Sequence, residues 1–135
     1  SMKTAQQPAA QFDTSIYHIS QVDTVSGGKH VFHAGQAAID EKREPVCGDE
    51  NAAQSRQALT NVGLSLEAAG ATVADLTIVR VYMVDYQPEF IEQLLPEFER
   101  FFAGHPPPAS TWVGVQRLAL PELKIEIEAQ AMVTV

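Results

Sequence analysis

Two glutamates spaced two apart, Glu126 and Glu128, sit in the run Lys124-Ile125-Glu126-Ile127-Glu128-Ala129-Gln130-Ala131-Met132-Val133. Its strict alternation places Ile125, Ile127, Ala129, Ala131 and Val133 on one face of a strand and Lys124, Glu126, Glu128, Gln130 and Met132 on the other. The first face is core. In the preceding run Ser110, Trp112 and Gly114 alternate with Thr111, Val113 and Val115, and a short connection carrying Pro121 joins the two runs. That pattern predicts adjacent antiparallel strands, with Ser110, Trp112 and Gly114 sharing the non-core face with the glutamates. A carboxylate, a hydroxyl and an indole would then meet outside the core, where a partly desolvated carboxylate acts as a base or orients water. On residue types alone, an outward glutamate is more often solvated or paired with a cation.

The other candidates read more plainly. His30 and His33 lie three apart on a predicted strand, so their rings point to opposite faces and do not form a metal pair. His33 alone reads as a hydrogen-bonded structural histidine. Cys47 lies near Glu44, Asp49 and Glu50, which raise a thiol's pKa and argue against a thiolate nucleophile. Ser110-Thr111 has no histidine partner in sequence and reads as strand polar groups. Arg80 and Tyr82 share a strand face and read as sheet-surface residues, Arg80 being available to an anion if that face is an interface.

The elements that must position these residues follow from periodicity and punctuation. Residues 1–13 read as a flexible arm, with Ser1 as a tag-cleavage scar before Met2, and 14–135 as one domain. A strand from about Ile16 to Val25 and another from Lys29 to Ala34 flank Ser26-Gly27-Gly28, a hairpin signal. Asp49 or Asn51 caps a helix ending at Ala69-Gly70, with Leu59, Val62, Leu66 and Ala69 as its apolar stripe. The β-branched run Leu76–Val84 is a strand. Ile91, Leu94, Leu95, Phe98 and Phe102 fit a second helix, in which Pro96 predicts a break near Leu95. The order β-β-α-β-α-β-β implies an α+β domain, a mixed sheet with two helices on one face. The uncovered face would meet another copy of the chain.

A net charge of −8 and a pI near 4.8 exclude partners held by phosphate neutralisation, namely nucleic acid and anionic membranes. The lone cysteine makes no internal disulfide, and no apolar run approaches the roughly 18 residues of a spanning helix. With no signal pattern at the N-terminus, a cytoplasmic protein is expected.

Taken in order, Ala34-Gly35-Gln36, Gln54-Ser55-Arg56-Gln57-Ala58-Leu59-Thr60-Asn61-Val62, Leu66-Glu67-Ala68-Ala69-Gly70-Ala71, Val81-Tyr82-Met83-Val84-Asp85, Phe101-Phe102, Pro108-Ala109 and Ile125-Glu126-Ile127-Glu128-Ala129 resemble the Rid (RidA/YjgF) family. The resemblance runs from about Val22 to Val133. It implies a chorismate-mutase-like fold, a homotrimer, and small-molecule clefts between subunits. It also implies hydrolysis of enamines and imines derived from amino acids to a 2-oxo acid and ammonia, without metal or organic cofactor. The endoribonuclease label that the family also carries fits poorly with the acidic composition.

Carried over by residue, the resemblance makes Glu126 the water-positioning glutamate and Gly35 the glycine whose backbone lines the cleft, with His33 close by. In deaminase members an arginine directly follows the Pro-Ala and grips the substrate carboxylate. Here Ser110 follows Pro108-Ala109, with Thr111 beside it, and the clamp is missing. Trp112 stands where a small residue or cysteine is common, as a cleft wall or stacking surface. Ile19 replaces an aromatic, and Leu95 falls near a polar position of the second helix. Two readings follow: a Rid-like hydrolase acting on a small reactive enamine or imine, and a ligand-binding trimer that has lost the chemistry, which the absent arginine and Leu95 favour.

Overall fold

The computed structural model describes residues 2–134; Ser1 and Val135 lie outside the described residues. In chain order its elements are β1 (Met2–Gln6), β2 (Val22–Ser26), β3 (Lys29–Ala37), α1 (Asn51–Ala68), β4 (Leu76–Val84), α2 (Pro88–Phe102), β5 (Ala109–Val115) and β6 (Ile125–Val133). Single 3-10 turns occupy Ser15–Tyr17 and Val73–Asp75. The strands form a four-stranded sheet of order β3-β6-β4-β5 and a separate β1-β2 ribbon. The β3/β6 and β6/β4 pairs are antiparallel, and β4/β5 is parallel. This is the α+β arrangement of a mixed sheet carrying two helices.

α1 stops where Gly70 takes a φ of +72°, its amide donating to the Glu67 carbonyl while Ala71 N–H reaches Leu66 O at 2.8 Å. Neither Asp49 nor Asn51 caps its start: Glu50 is the cap residue, without a side-chain bond, and Asn51 instead donates to Gln93 Oε1 on α2 at 3.1 Å. α2 runs unbroken through Pro96, against the expected break near Leu95. The lost donor costs about 3 kcal/mol. Burial of Leu94, Phe98 and Phe102, each worth roughly 1.5–3 kcal/mol, offsets it. Those side chains join Leu59, Val62 and Leu66 of α1 and Val79, Val81, Met83, Ile125 and Ile127 of the sheet in one core. Between the helices, the buried Glu97 accepts hydrogen bonds from Arg56 Nε at 2.8 Å and from Arg100.

Two further expectations are corrected. The N-terminal residues are not a loose arm: β1 pairs with β2 in the register Met2↔Ser26 to Gln6↔Val22, and Lys3 Nζ meets the buried Asp23 Oδ2 at 2.9 Å. Pairing with β1 takes β2 out of the expected hairpin with β3, Ile16 falls in a 3-10 turn, and β2 instead lies against β4. The last two strands are not neighbours either. α2 carries the chain back over the sheet, so β5 enters parallel to β4 and takes its free edge, while β6 pairs on β4's other side.

This topology reverses the faces expected for β5. Ser110 pairs with Val79 and Trp112 with Val81, both buried in the core, so Ser110, Trp112 and Gly114 belong to the helix-covered face. Thr111 and Val113 pair with Arg80 and Tyr82, which in turn pair with Glu128 and Glu126, and these residues share the outer face.

Candidate functional site

Two cavities take in Ile19, Trp112, Gly35, Glu126 and Cys47 of the residues singled out above, and they lie on different parts of the chain. The first, about 380 Å³, is lined by Tyr17, Ile19, Met83, Tyr86, Ile91, Trp112 and Gly114. Its back wall is the Trp112 ring, which stacks on Phe98 of α2 with centroids 5.5 Å apart and planes at 18°. Phe98 continues the stack onto Phe102 at 5.5 Å. Trp112 Nε1 donates to Ser110 Oγ at 3.0 Å, and that hydroxyl donates to the Val79 carbonyl at 2.7 Å. Indole, hydroxyl and backbone are thus locked together. Gly114 lets Tyr86 close over β5, since a Cβ at that position would lie 3.2 Å from Tyr86 Cβ.

The front wall comes from the other end of the sequence. Thr14 Oγ1 donates to Ile19 O at 2.7 Å, and Gln7 Nε2 donates to the same carbonyl at 2.8 Å. Ser20 N–H reaches Pro108 O at 3.0 Å and Ser20 Oγ reaches Pro107 O at 2.6 Å, pinning Tyr17 and Ile19 beside the start of β5.

The second cavity, about 780 Å³, is bordered by Gly35, Asp40, Cys47, Asn61, Leu123 and Glu126 among others. The β3/β6 register shifts between His33 and Gln36, and past this irregularity Ala37 pairs with Glu126. A Cβ on Gly35 would lie 2.8 Å from Glu126 Cδ, so glycine is what gives the carboxylate its seat. Polar groups of α1 fix both strands around it. Asn61 Nδ2 donates to Ala37 O at 2.8 Å and Ile39 O at 3.1 Å. The buried Gln54 donates to Gly48 O at 2.6 Å and Glu122 O at 2.9 Å, and accepts from Lys124 N–H at 2.8 Å. Glu126 itself makes no hydrogen bond or ion pair among the described residues. Glu128, by contrast, accepts from Tyr82 Oη at 2.6 Å and lies 3.9 Å from Arg80 Nη1. That hydrogen bond pushes the Tyr82 phenol above its ordinary pKa.

The structure therefore brings Ile19 and Trp112 together, and separately Gly35 and Glu126. Ser110 sits beneath Trp112 rather than facing the cavity, and Thr111 is on the outer face. Leu95 lines neither cavity; Ile91, one turn earlier on α2, is the helix residue that reaches the first. His33 also lines neither. It is buried on the helix-covered face opposite Ala129, with Nε2 lacking a hydrogen-bond partner, which corrects the expectation of a hydrogen-bonded histidine. Burial holds its pKa below the ordinary histidine value. Sequence reasoning missed Tyr17, Met83, Tyr86, Ile91 and Asn61. Only the aromatic character of the tyrosines could have flagged them, because the walls come from segments far apart in sequence. Among the described residues, no group of three or more His, Cys, Asp or Glu side chains is arranged to hold a metal, and no helix is long and apolar enough to cross a membrane.

Within one chain the two cavities cannot act together. Trp112 and Glu126 point to opposite faces with β4 between their strands, roughly 10 Å of sheet.

The family described as Endoribonuclease L-PSP matches residues 12–133. A 2-iminobutanoate/2-iminopropanoate deaminase of Salmonella typhimurium is 37% identical over 113 residues, covering 82% of this chain and 85% of that protein. Among solved structures, a protein of unknown function of the Rid family from Yersinia pestis superposes with a TM-score of 0.93 at 34% identity, covering 97% of this chain and 98% of that one. The YjgF gene product of E. coli gives 0.67 at 33% identity, covering 84% and 86%. The two structures are about equally distant in sequence, so the higher score marks an arrangement of elements that this chain shares with the Yersinia protein.

Proposed function

The chain belongs to the Rid (YjgF) family, that of Endoribonuclease L-PSP, and from that premise we propose that it is a hydrolase of a small enamine or imine. The observation that carries this reading is the Glu126 carboxylate, seated against Gly35 at the border of a cavity and free of any partner. Its neighbours on the outer sheet face are engaged with one another, Glu128 with Tyr82 and Arg80. A carboxylate in this position takes a proton from water as the oxygen adds to the C=N carbon, then returns it to nitrogen. The carbinolamine collapses to a carbonyl and ammonia. The sum, imine plus water giving carbonyl plus ammonia, balances without metal or organic cofactor.

Because the Trp112 and Glu126 cavities face apart in one chain, the site on this reading forms between copies, one supplying the Trp112 wall and the next Glu126, in a homotrimer. Light scattering at micromolar concentration tests the assembly; a monomer removes the shared cleft. Glu126→Gln tests the chemistry. Ammonia release from a freshly generated imine should fall about 10²-fold or more, with the fold unchanged by circular dichroism. Unchanged turnover would end the hydrolase reading.

One observation favours a second reading, a trimer that binds a ligand without converting it: the residue in the clamp position, Ser110, has spent its hydroxyl on Val79 O and Trp112. Recovery of a bound ligand unaltered after prolonged incubation would support that reading.

A further inference from the structure

We infer that the Trp112 cavity selects a neutral, aromatic-sized group and rejects a carboxylate, so that the substrate is an imine or enamine bearing no carboxylate beside its C=N carbon. The inference rests on the hydrolase reading for the word substrate, and on the cavity alone for the selectivity.

The cavity offers no cation to pair with an anion; among its side chains only the neutral phenols of Tyr17 and Tyr86 are left to donate. Ser110 Oγ gives its one proton to Val79 O at 2.7 Å and accepts the one indole proton of Trp112 at 3.0 Å, so both polar groups beneath the ring are satisfied internally. The walls that remain are Tyr17, Ile19, Met83, Tyr86 and Ile91, none of them cationic. The nearby cations are committed elsewhere: Arg80 faces the opposite side of the sheet near Glu128, and Lys124 lies 3.9 Å from Asp85. A carboxylate entering here would lose its water and gain no counter-charge in return, only hydrogen bonds from neutral phenols. An apolar ring gains on both counts, since about 380 Å³ accommodates one aromatic system and the Trp112 face, held rigid by Phe98 behind it, offers offset stacking.

The reaction is then R–CH=NH + H₂O → R–CHO + NH₃. Water oxygen bonds to carbon, the C–N bond breaks, and both water protons leave on nitrogen. The product is an aldehyde or ketone rather than a 2-oxo acid. The class of reaction that supplies such an imine is the two-electron oxidation of a primary amine, not of an amino acid.

Trp112 is the only tryptophan in the chain, so its fluorescence reports on this cavity directly. Phenylacetamide and phenylacetate, near in size and different in charge, are titrated into the full-length protein. The expected result is a saturable fluorescence change with phenylacetamide and at least tenfold weaker binding of phenylacetate. Equal or tighter binding of phenylacetate, or no response to either at millimolar concentration, overturns the inference. Ile91→Arg places a cation on the wall without disturbing the Ser110–Trp112 lock and should shift the preference toward phenylacetate by tenfold or more; Ser110→Arg, which breaks the lock, serves as a second variant. An unchanged preference in a folded Ile91→Arg protein counts against the inference. Turnover is read separately, with 2-phenylethanimine offered beside 2-iminopropanoate. Selective binding of phenylacetamide without turnover of either imine defeats the hydrolase reading and leaves the selectivity standing. Faster turnover of 2-iminopropanoate upholds the hydrolase reading and defeats the selectivity.

Discussion

At Glu126 the sheet leaves a carboxylate unpartnered at the border of an open cavity, whereas across β4 and on the opposite face the Ser110 hydroxyl and the Trp112 indole are tied to each other and to the backbone. The first region keeps a reactive group available and spends the polar side chains of α1, Gln54 and Asn61, on holding its strands. The second has turned polar groups into mortar for an aromatic wall. Bond-breaking and recognition are thus separable here. On the proposed function, the half that moves protons has kept the family's pattern, while the half that reads the substrate has been rebuilt around one indole.

The comparison breaks most visibly if the free carboxylate is disturbed. Gly35→Ala puts a Cβ against Glu126, and assays of ammonia release should show a loss of at least tenfold with little change in thermal midpoint; retained activity would mean that the seat is not specific. On the other side, Trp112→Ala removes the half-buried ring stacked on Phe98 and should cost about 3 kcal/mol in denaturant unfolding, leaving the Glu126 cavity intact. Ser110→Ala removes only the link between indole and backbone and should cost about 1–2 kcal/mol. If it costs nothing, the lock is incidental.

Smaller effects, at two buried groups outside both cavities, are read by pH. Burial pushes the Glu97 carboxyl up, but the hydrogen bonds from Arg56 and Arg100 more than reverse this and hold it below the usual carboxylate range. Its contribution is therefore fully present above the unfolded value, about 4.3, and is lost as pH falls through the folded one. Glu97→Gln should lower the thermal midpoint at pH 7 and flatten its fall below pH 5. His33, depressed by burial, is neutral in both states above about pH 6.5. Below that the unfolded chain takes up its proton first, so stability declines with acid. His33→Leu should remove that part of the slope, as thermal melts at pH 7 and pH 5.5 would show.

Much of this molecule is legible in its residues. β4 spans Leu76–Val84 as its β-branched run predicts, α1 ends at a glycine, and β6 alternates as written. What fails is whatever depends on a distant partner. Alternation divides β5 into Ser-Trp-Gly and Thr-Val-Val faces but does not say which is core; the parallel register with β4, imposed by α2, decides that. β1 is too short to announce itself, and its anchor is an ion pair between Lys3 and Asp23 that no local pattern encodes. Pro96 reads as a breaker only until the burial of Leu94 and Phe98 on either side is counted. Of the site, Glu126 and Gly35 could be placed by resemblance, whereas Tyr17, Tyr86 and Ile91 meet only after folding.

The two bonds from Ser20 to Pro107 and Pro108 join segments 87 residues apart in sequence. Closing a loop of that length carries an entropic penalty that local helices and hairpins do not. The wall bearing Tyr17 and Ile19 should accordingly settle late, and so should the seat of Glu126, because the Ala37–Glu126 pairing of β3 with β6 closes a loop of comparable length. Stopped-flow refolding would show it as a Trp112 fluorescence phase lagging behind the far-ultraviolet signal, and coincident phases would deny it. During its own maturation, such a molecule acquires its discrimination and its seated carboxylate together, after its helices.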